Sequence, residues 1–333
     1  MILIIVVIPL GMFLYIKNIT SSGLGIDKTV YIKIDENKDY ESLKDQLKNV
    51  AHINSIGNFE KVASFLDYPE NIKTGRYAIK PQMTVLEVVR LLKSGQQAPV
   101  KLTFNNVRTK DDLTMRLSDQ LMISKQELDN ALNNDELCKS YGFTPQTIVS
   151  MFIPNTYEVY WNTSMDKFLN RMKNEYDKFW NESRMTKAKD LKLSQTEIST
   201  LASIVEEECY FADEYPIVAG LYLNRLHKGM LLQADPTVKY AVGDFTLRRV
   251  LNKHLAEDSP YNTYKYAGLP PGPIRIPSIK AIDAVLNYKK HNYLYMCAKE
   301  DFSSRHNFAV THAEHARNAQ KYQAALNQRR IYQ

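Results

Sequence analysis

Three glutamates stand in a row at the end of an apolar stretch: Glu206, Glu207 and Glu208 in LASIVEEECYF, residues 201–211. A carboxyl group held protonated near neutral pH can act as a general acid, and desolvation or a neighbouring negative charge is what holds it protonated. Downstream, LQADPTV supplies Gln233, Asp235 and Thr237, and YNTY supplies Tyr261, Asn262 and Tyr264. Amides, hydroxyls and carboxylates of this kind hydrogen-bond sugar hydroxyls and acetamido groups, and tyrosine rings offer a stacking surface. Each has a plainer alternative. Asp235 beside Pro236 also suits an Asx turn or a helix cap, and a tyrosine-rich loop also suits packing.

The three glutamates separate by helical phase at about 100° per residue. With Ile198 set at zero, Leu201, Ile204, Val205 and Cys209 fall between about 240° and 20° and form an apolar stripe. Glu208 falls at about 280°, inside that stripe, and is the first candidate for the acid. Glu206 falls at about 80°, beside Ser199, Ala202 and Ser203, where a polymer could approach, and is the runner-up. Glu207 points away and reads as solvated.

Other residue types are less productive. His306, His312 and His315 lack a recognised zinc spacing, so no metal or other cofactor is expected. Cys138, Cys209 and Cys297 form neither a disulfide framework nor a CxxC pair and read as free. Arg225 is expected to pair with a nearby carboxylate. The net charge of +6 is spread along the chain without a dense basic run, which argues against a nucleic-acid partner.

The elements that must position these groups fall into an α+β chain of four parts. MILIIVVIPLGMFLYI carries no charge before Lys17 and reads as an uncleaved membrane anchor over residues 1–20. That reading puts the bulk of the chain on the extracytoplasmic side. Residues 28–105 read as strand, helix, helix, strand, then a helix opened by a Thr84–Glu87 capping box and a returning strand in PVKLTF. This part resembles a small LysM-like module. Residues 106–190 are mainly helical, with Tyr157, Tyr160 and Trp161 either packed or lining a groove floor. The block 191–333 holds the chemistry. A helix opens at the Ser194–Glu197 capping box and ends near Cys209, and 214–229 is a second helix. MLLQADPTVKYAVG reads as a turn and a short segment, and YNTYKYAGLPPGPIRIPS as irregular. A helix, two short strands and a final helix follow.

In order and spacing, LASIVEEE, LYLNRLHKGMLLQADPTVKYA, YNTYKYAGLPPGPI and HNFAVTHAEH resemble the YceG-like endolytic murein transglycosylases. The resemblance implies a membrane-anchored enzyme that cuts nascent peptidoglycan strands between N-acetylmuramic acid and N-acetylglucosamine. It implies 1,6-anhydro ends, and penicillin-binding proteins or other peptidoglycan synthases as partners. It also favours Glu208, matching the second glutamate of the family's usual IVEKE. Two departures stand out: Glu207 replaces that lysine, and PGPIRIPS replaces the usual PGPI-x-NPG. The extra charge at Glu207 is expected to raise the Glu208 pKa.

Such an enzyme can work with one carboxylate, because the sugar's own C6 hydroxyl replaces water as the nucleophile. Asp235 would then be placed to stabilise oxocarbenium charge. Two other classes fit the same features. One is a non-catalytic wall-binding or scaffold protein. The other is a hydrolytic muramidase with Asp235 as its second carboxylate.

Overall fold

A computed structural model describes residues 13–21, 23–105, 107–247 and 249–329 of the 333-residue chain. The chain divides into two compact units. The first runs to Leu102 and adds residues 117–124 and 157–165; the second holds 103–116, 125–156 and everything from Asp166. Helix α1 covers the described residues 13–21. Most of the expected anchor lies outside the described residues. Among those described, no helix is long and apolar enough to cross a membrane.

In the first unit, β1 (Val30–Ile34) pairs antiparallel with β2 (Gly75–Ile79), placing Ile32 opposite Tyr77. Helices α2 (Tyr40–Asn49) and α3 (Ile56–Phe65) lie between them in sequence. Leu43, Leu47, Phe59 and Tyr77 are buried with Val88, Val89 and Leu92 of α4 (Val85–Ser94) in one core. Asp39, Ser55 and Thr84 cap the three helices, Thr84 through the expected box with Glu87. Gly95 stops α4 at φ +75°, a left-handed conformation that suits glycine.

The returning strand is β3 (Val100–Thr103), and it does not join the β1–β2 sheet. Ala98 N–H still donates to the Arg76 carbonyl at 2.8 Å, but the next residue is Pro99, which has no N–H to continue a ladder. β3 pairs instead with β4 (Thr156–Val159). Tyr157 and Trp161 are buried in the first unit, with Lys33 Nζ 5.3 Å from the indole centroid; Tyr160 is exposed. The first two rings are therefore packing groups.

Between β3 and the C-terminal block run α5 (Lys110–Gln120), α6 (Lys125–Asn133), α7 (Asp135–Ser140), α8 (Met165–Phe179) and α9 (Glu182–Leu191). The second unit is organised around α10 (Gln195–Glu208), whose Ser194–Glu197 capping box forms as expected. Every residue from Ile198 to Val205 is buried, including Ser199, Thr200 and Ser203. So α10 is a central helix and not a one-sided stripe. It packs against α11 (Tyr215–His227), α12 (Asp235–Val242) and α14 (Ile279–Leu286).

The serines on α10 are satisfied within the unit. Ser203 Oγ donates to the Thr200 carbonyl at 2.7 Å and accepts from Ile274 N–H at 3.0 Å. The small-residue face expected to be open to a polymer is therefore covered by protein.

Helix α12 replaces the expected turn and short segment. Pro236 in its first turn needs no hydrogen-bond partner there, and Gly243 at φ +75° stops it. A short α13 (Asn252–Leu255) follows. The strands β5 (Tyr295–Ala298) and β6 (His306–Ala309) form an antiparallel pair, and α15 (His312–Gln328) ends the described fold.

Candidate active site

Glu208 is the last residue of α10 and keeps partial access to solvent. Among the described residues its carboxyl has no hydrogen-bond partner. Burial pushes its pKa from the usual 4.5 up to about 8, and the negative charge of Asp235 adds to the rise; Lys239 and Arg225 oppose it. Glu207, expected to raise this pKa, is not among the charges that do so. The result is a carboxyl held protonated at neutral pH by burial, on a residue that keeps partial access to solvent.

Glu207 is not solvated. Its side chain is 17% exposed and sits between two arginines, with Arg275 Nη1 at 2.6 Å and Arg108 Nη2 at 3.1 Å. Its charge is thereby neutralised close at hand, which explains its silence at Glu208. Arg275 belongs to PGPIRIPS, at the position that the family pattern PGPI-x-NPG leaves open.

Glu206 has a different task. It accepts the backbone N–H of Ser278, the N-cap of α14, at 2.8 Å and lies 3.6 Å from Arg275 Nε. Of the three carboxylates, only Glu208 is left without a partner among the described residues.

Asp235 opens α12, where a carboxylate also complements the helix dipole. Tyr264 Oη donates to Asp235 Oδ1 at 2.6 Å. Burial raises the Tyr264 pKa, as do that hydrogen bond and the charges of Asp235 and Glu208, so the phenol stays protonated. The two loops are joined through Thr263. Its carbonyl accepts from Gln233 N–H at 3.1 Å, its hydroxyl accepts from Ala234 N–H at 3.0 Å, and Thr237 Oγ1 lies 2.8 Å from that hydroxyl.

Asn262 is fully buried. Its amide donates to the carbonyls of Leu255 and Glu257, and its Oδ1 accepts from Tyr264 N–H at 3.1 Å. Thr237 is equally buried and donates to the Ala234 carbonyl. Both side chains therefore set the loop on which Asp235 and Tyr264 meet. Tyr261 lies with its ring 4.7 Å from that of Tyr240, and burial raises both phenol pKa values.

Arg225 pairs with no carboxylate among the described residues. It donates to the carbonyls of Leu294 at 2.6 Å, Leu232 at 2.8 Å and Leu231 at 3.1 Å, and to Gln233 Oε1 at 3.3 Å. Itself buried, it caps three main-chain oxygens, of which that of Leu232 is buried and those of Leu231 and Leu294 are part-buried. It holds the loop where Gln233 takes up φ +51°.

His306 Nδ1 lies 3.1 Å from buried Glu214, and His315 stacks on Tyr295 at 5.5 Å. No cluster able to hold a metal occurs among the described residues. All three cysteines are free. Sequence reasoning missed Lys239, Thr263, Tyr240, Arg108 and Arg275. Only Lys239, four residues after Asp235 on one helix, carried a usable signal.

Comparison with known proteins gives a consistent picture. The sequence model of the YceG-like family matches residues 32–321. An endolytic murein transglycosylase of Bacillus subtilis (strain 168) is 28% identical over 339 residues, covering 96% of this chain and 92% of that protein. An endolytic murein transglycosylase of Streptococcus pneumoniae (serotype 2, strain D39 / NCTC 7466) is 24% identical and covers 89% of this chain; the chain spans 58% of that protein's length. A crystal structure of a yceG-like protein from Listeria monocytogenes superposes with a TM-score of 0.58 at 27% identity. That match covers 88% of this chain and 99% of the other.

Proposed function

The chain belongs to the YceG-like family, and from that premise we propose that it is an endolytic murein transglycosylase with Glu208 as its acid and base. The observation that carries the assignment is the Glu208 carboxyl, held protonated by burial and unpartnered among the described residues, on a residue with partial access to solvent. Glu208 gives its proton to the glycosidic oxygen as the bond from C1 of N-acetylmuramic acid breaks. The C6 hydroxyl of the same sugar attacks C1, and the Glu208 carboxylate takes the hydroxyl proton. The strand ends in a 1,6-anhydro sugar, no water is consumed, and the enzyme returns to its starting state.

Asp235, steadied by Tyr264, supplies negative charge beside the developing oxocarbenium ion. Gln233, Tyr261 and Tyr264 are the substrate-binding side chains in this reading, and Thr237 and Asn262 fix the loop that carries them. Residues 1–20 serve as the membrane anchor, with the second unit on the extracytoplasmic side. Residues 28–105 serve as a LysM-like wall-binding module, for which the β1–α2–α3–β2 order is the support. Penicillin-binding proteins making nascent strands are the partners this placement suits.

Mass spectrometry of digested strands tests the reading. Anhydro ends support it, reducing ends indicate a hydrolase, and uncut strands indicate a binding protein.

A further inference from the structure

The first unit carries an apolar groove of about 390 Å³ where α1 meets α3 and α4. Ile16 and Ile19 of α1 and Val62 and Phe65 of α3 line it, and its charged residues are the cations Lys61 and Arg90. Phe65 is 86% exposed, and Phe13, Leu14, Tyr15 and Ile16 of α1 are exposed as well. Large apolar side chains gathered in the open mark an interaction surface.

The charges around the groove are unevenly engaged. Glu60 on α3 pairs with Lys44 at 2.8 Å. Glu87 on α4 closes the Thr84 capping box, and the charge of Arg90 acts on it. Asp67, beyond Phe65, is exposed. Lys61 makes no ion pair among the described residues. Its ammonium donates to Tyr15 Oη at 3.3 Å and lies 5.6 Å from the centroid of that ring.

The contact with Tyr15 fixes a depth. The sequence carries no charge from Met1 to Ile16, and Lys17 is its first charged side chain. In a spanning segment the chain leaves the hydrocarbon near such a residue, whose ammonium reaches out to the headgroups. Tyr15 precedes Lys17 by two residues, about 3 Å along a helix axis. Lys61, held against Tyr15, is therefore level with the boundary, and Phe65 lies one helical turn further along α3. Tyrosine rings and lysine ammoniums are the groups that favour this level of a bilayer.

We propose that this face of the first unit rests on the membrane, with Phe65 and the groove among the lipid headgroups and Lys61 at their phosphates. The inference rests on the reading of residues 1–20 as an anchor. It makes the first unit a part held flat to the bilayer and not a module swinging on a tether.

The test uses full-length protein in vesicles of phosphatidylglycerol and phosphatidylcholine. Phe65→Cys is labelled with nitrobenzoxadiazole in a Cys297→Ser background, since Cys138 and Cys209 are buried. Label emission should shift to the blue and be quenched when the lipids carry a nitroxide near the headgroup. Lys61→Glu should reduce the quenching, because a carboxylate is repelled by phosphate, and Lys61→Arg should keep it. Emission as in water from protein that resists carbonate extraction would overturn the face while leaving the anchor standing. A blue shift without quenching would mean that a second copy of the chain covers the face, and quenching that Lys61→Glu leaves untouched would remove the phosphate contact; either overturns the proposal. If carbonate extracts the protein, the anchor reading fails, and lipid-free protein mixed with the same vesicles decides the face. Quenching then supports it, and its absence overturns it.

Discussion

Tyr264 Oη lies 2.6 Å from Asp235 Oδ1 and donates to it. This contact fixes the one carboxylate whose charge raises the pKa of Glu208. It joins two loops far apart in sequence, and both must be in place before the acid is tuned. Burial does most of the tuning, and the charges on α12 adjust it in opposite directions.

That opposition gives a pH prediction. The acid must be protonated, so kcat/KM should fall as pH rises through about 8. Asp235→Asn removes a charge that raises the Glu208 pKa and should move this alkaline limb to lower pH. Lys239→Met removes one that lowers it and should move the limb to higher pH. Profiles of kcat/KM against pH for the two variants would read the shifts directly. Shifts in the same direction would contradict the assignment.

Stability should carry the same signature with a definite sign. Folded Glu208 binds its proton more tightly than the unfolded chain does, because its pKa is raised from 4.5 to about 8. The folded state is therefore favoured below about pH 4.5 relative to higher pH, and loses stability progressively as pH rises to about 8. Glu208→Gln removes the ionisation. Its melting temperature should exceed that of the wild type by a margin that widens between pH 5 and pH 8. Thermal melts across that range would show a constant margin if the carboxyl were ordinary.

Arg225 is a structural cation. Replacing it with methionine leaves the carbonyls of Leu231, Leu232 and Leu294 without their donor. A cost of about 3 kcal/mol is expected, from one buried and two part-buried acceptors left unsatisfied at once. Urea denaturation measures it, and a change under 1 kcal/mol (roughly the worth of one ordinary hydrogen bond) would show that water replaces the guanidinium.

The glycine of PPGPI is fixed by close approach. A Cβ at Gly272 would lie 2.2 Å from the Gln146 carbonyl oxygen. Neither group is the end of a flexible side chain, so Gly272→Ala should destabilise by about 2 kcal/mol. It should also displace the segment that carries Arg275. A chemical-denaturation midpoint equal to that of the wild type would count against this packing.

Much of this was legible in the sequence, and the failures have physical causes. Capping residues placed the starts of α4 and α10 because Thr84–Glu87 and Ser194–Glu197 satisfy their helix ends locally. Helical phase put Glu208 on a desolvated stripe; burial does raise its pKa, but the stripe itself is absent, since α10 is buried on all sides from Ile198 to Val205. The same method misjudged Glu207, because the arginines that neutralise it come from residues 108 and 275, which no local pattern connects to α10. It also misjudged Ser199, Ala202 and Ser203. Small residues look open in a sequence, yet here they let neighbouring segments approach, with Ser203 bonded to Ile274. Helix α12 was hidden by Asp235–Pro236, which is a turn signal and a helix-start signal alike.

The central claim is that Glu208, and not Glu206, is the acid. The most direct test is mass spectrometry of the products of Glu208→Gln and Glu206→Gln acting on glycan strands. The account predicts that Glu208→Gln loses at least about a hundredfold in anhydro-ended product, the lower range for a lost general acid. Glu206→Gln, whose amide oxygen can still accept from Ser278 N–H, should stay within about tenfold of the wild type. Full anhydro product from Glu208→Gln, with loss in Glu206→Gln, would contradict it.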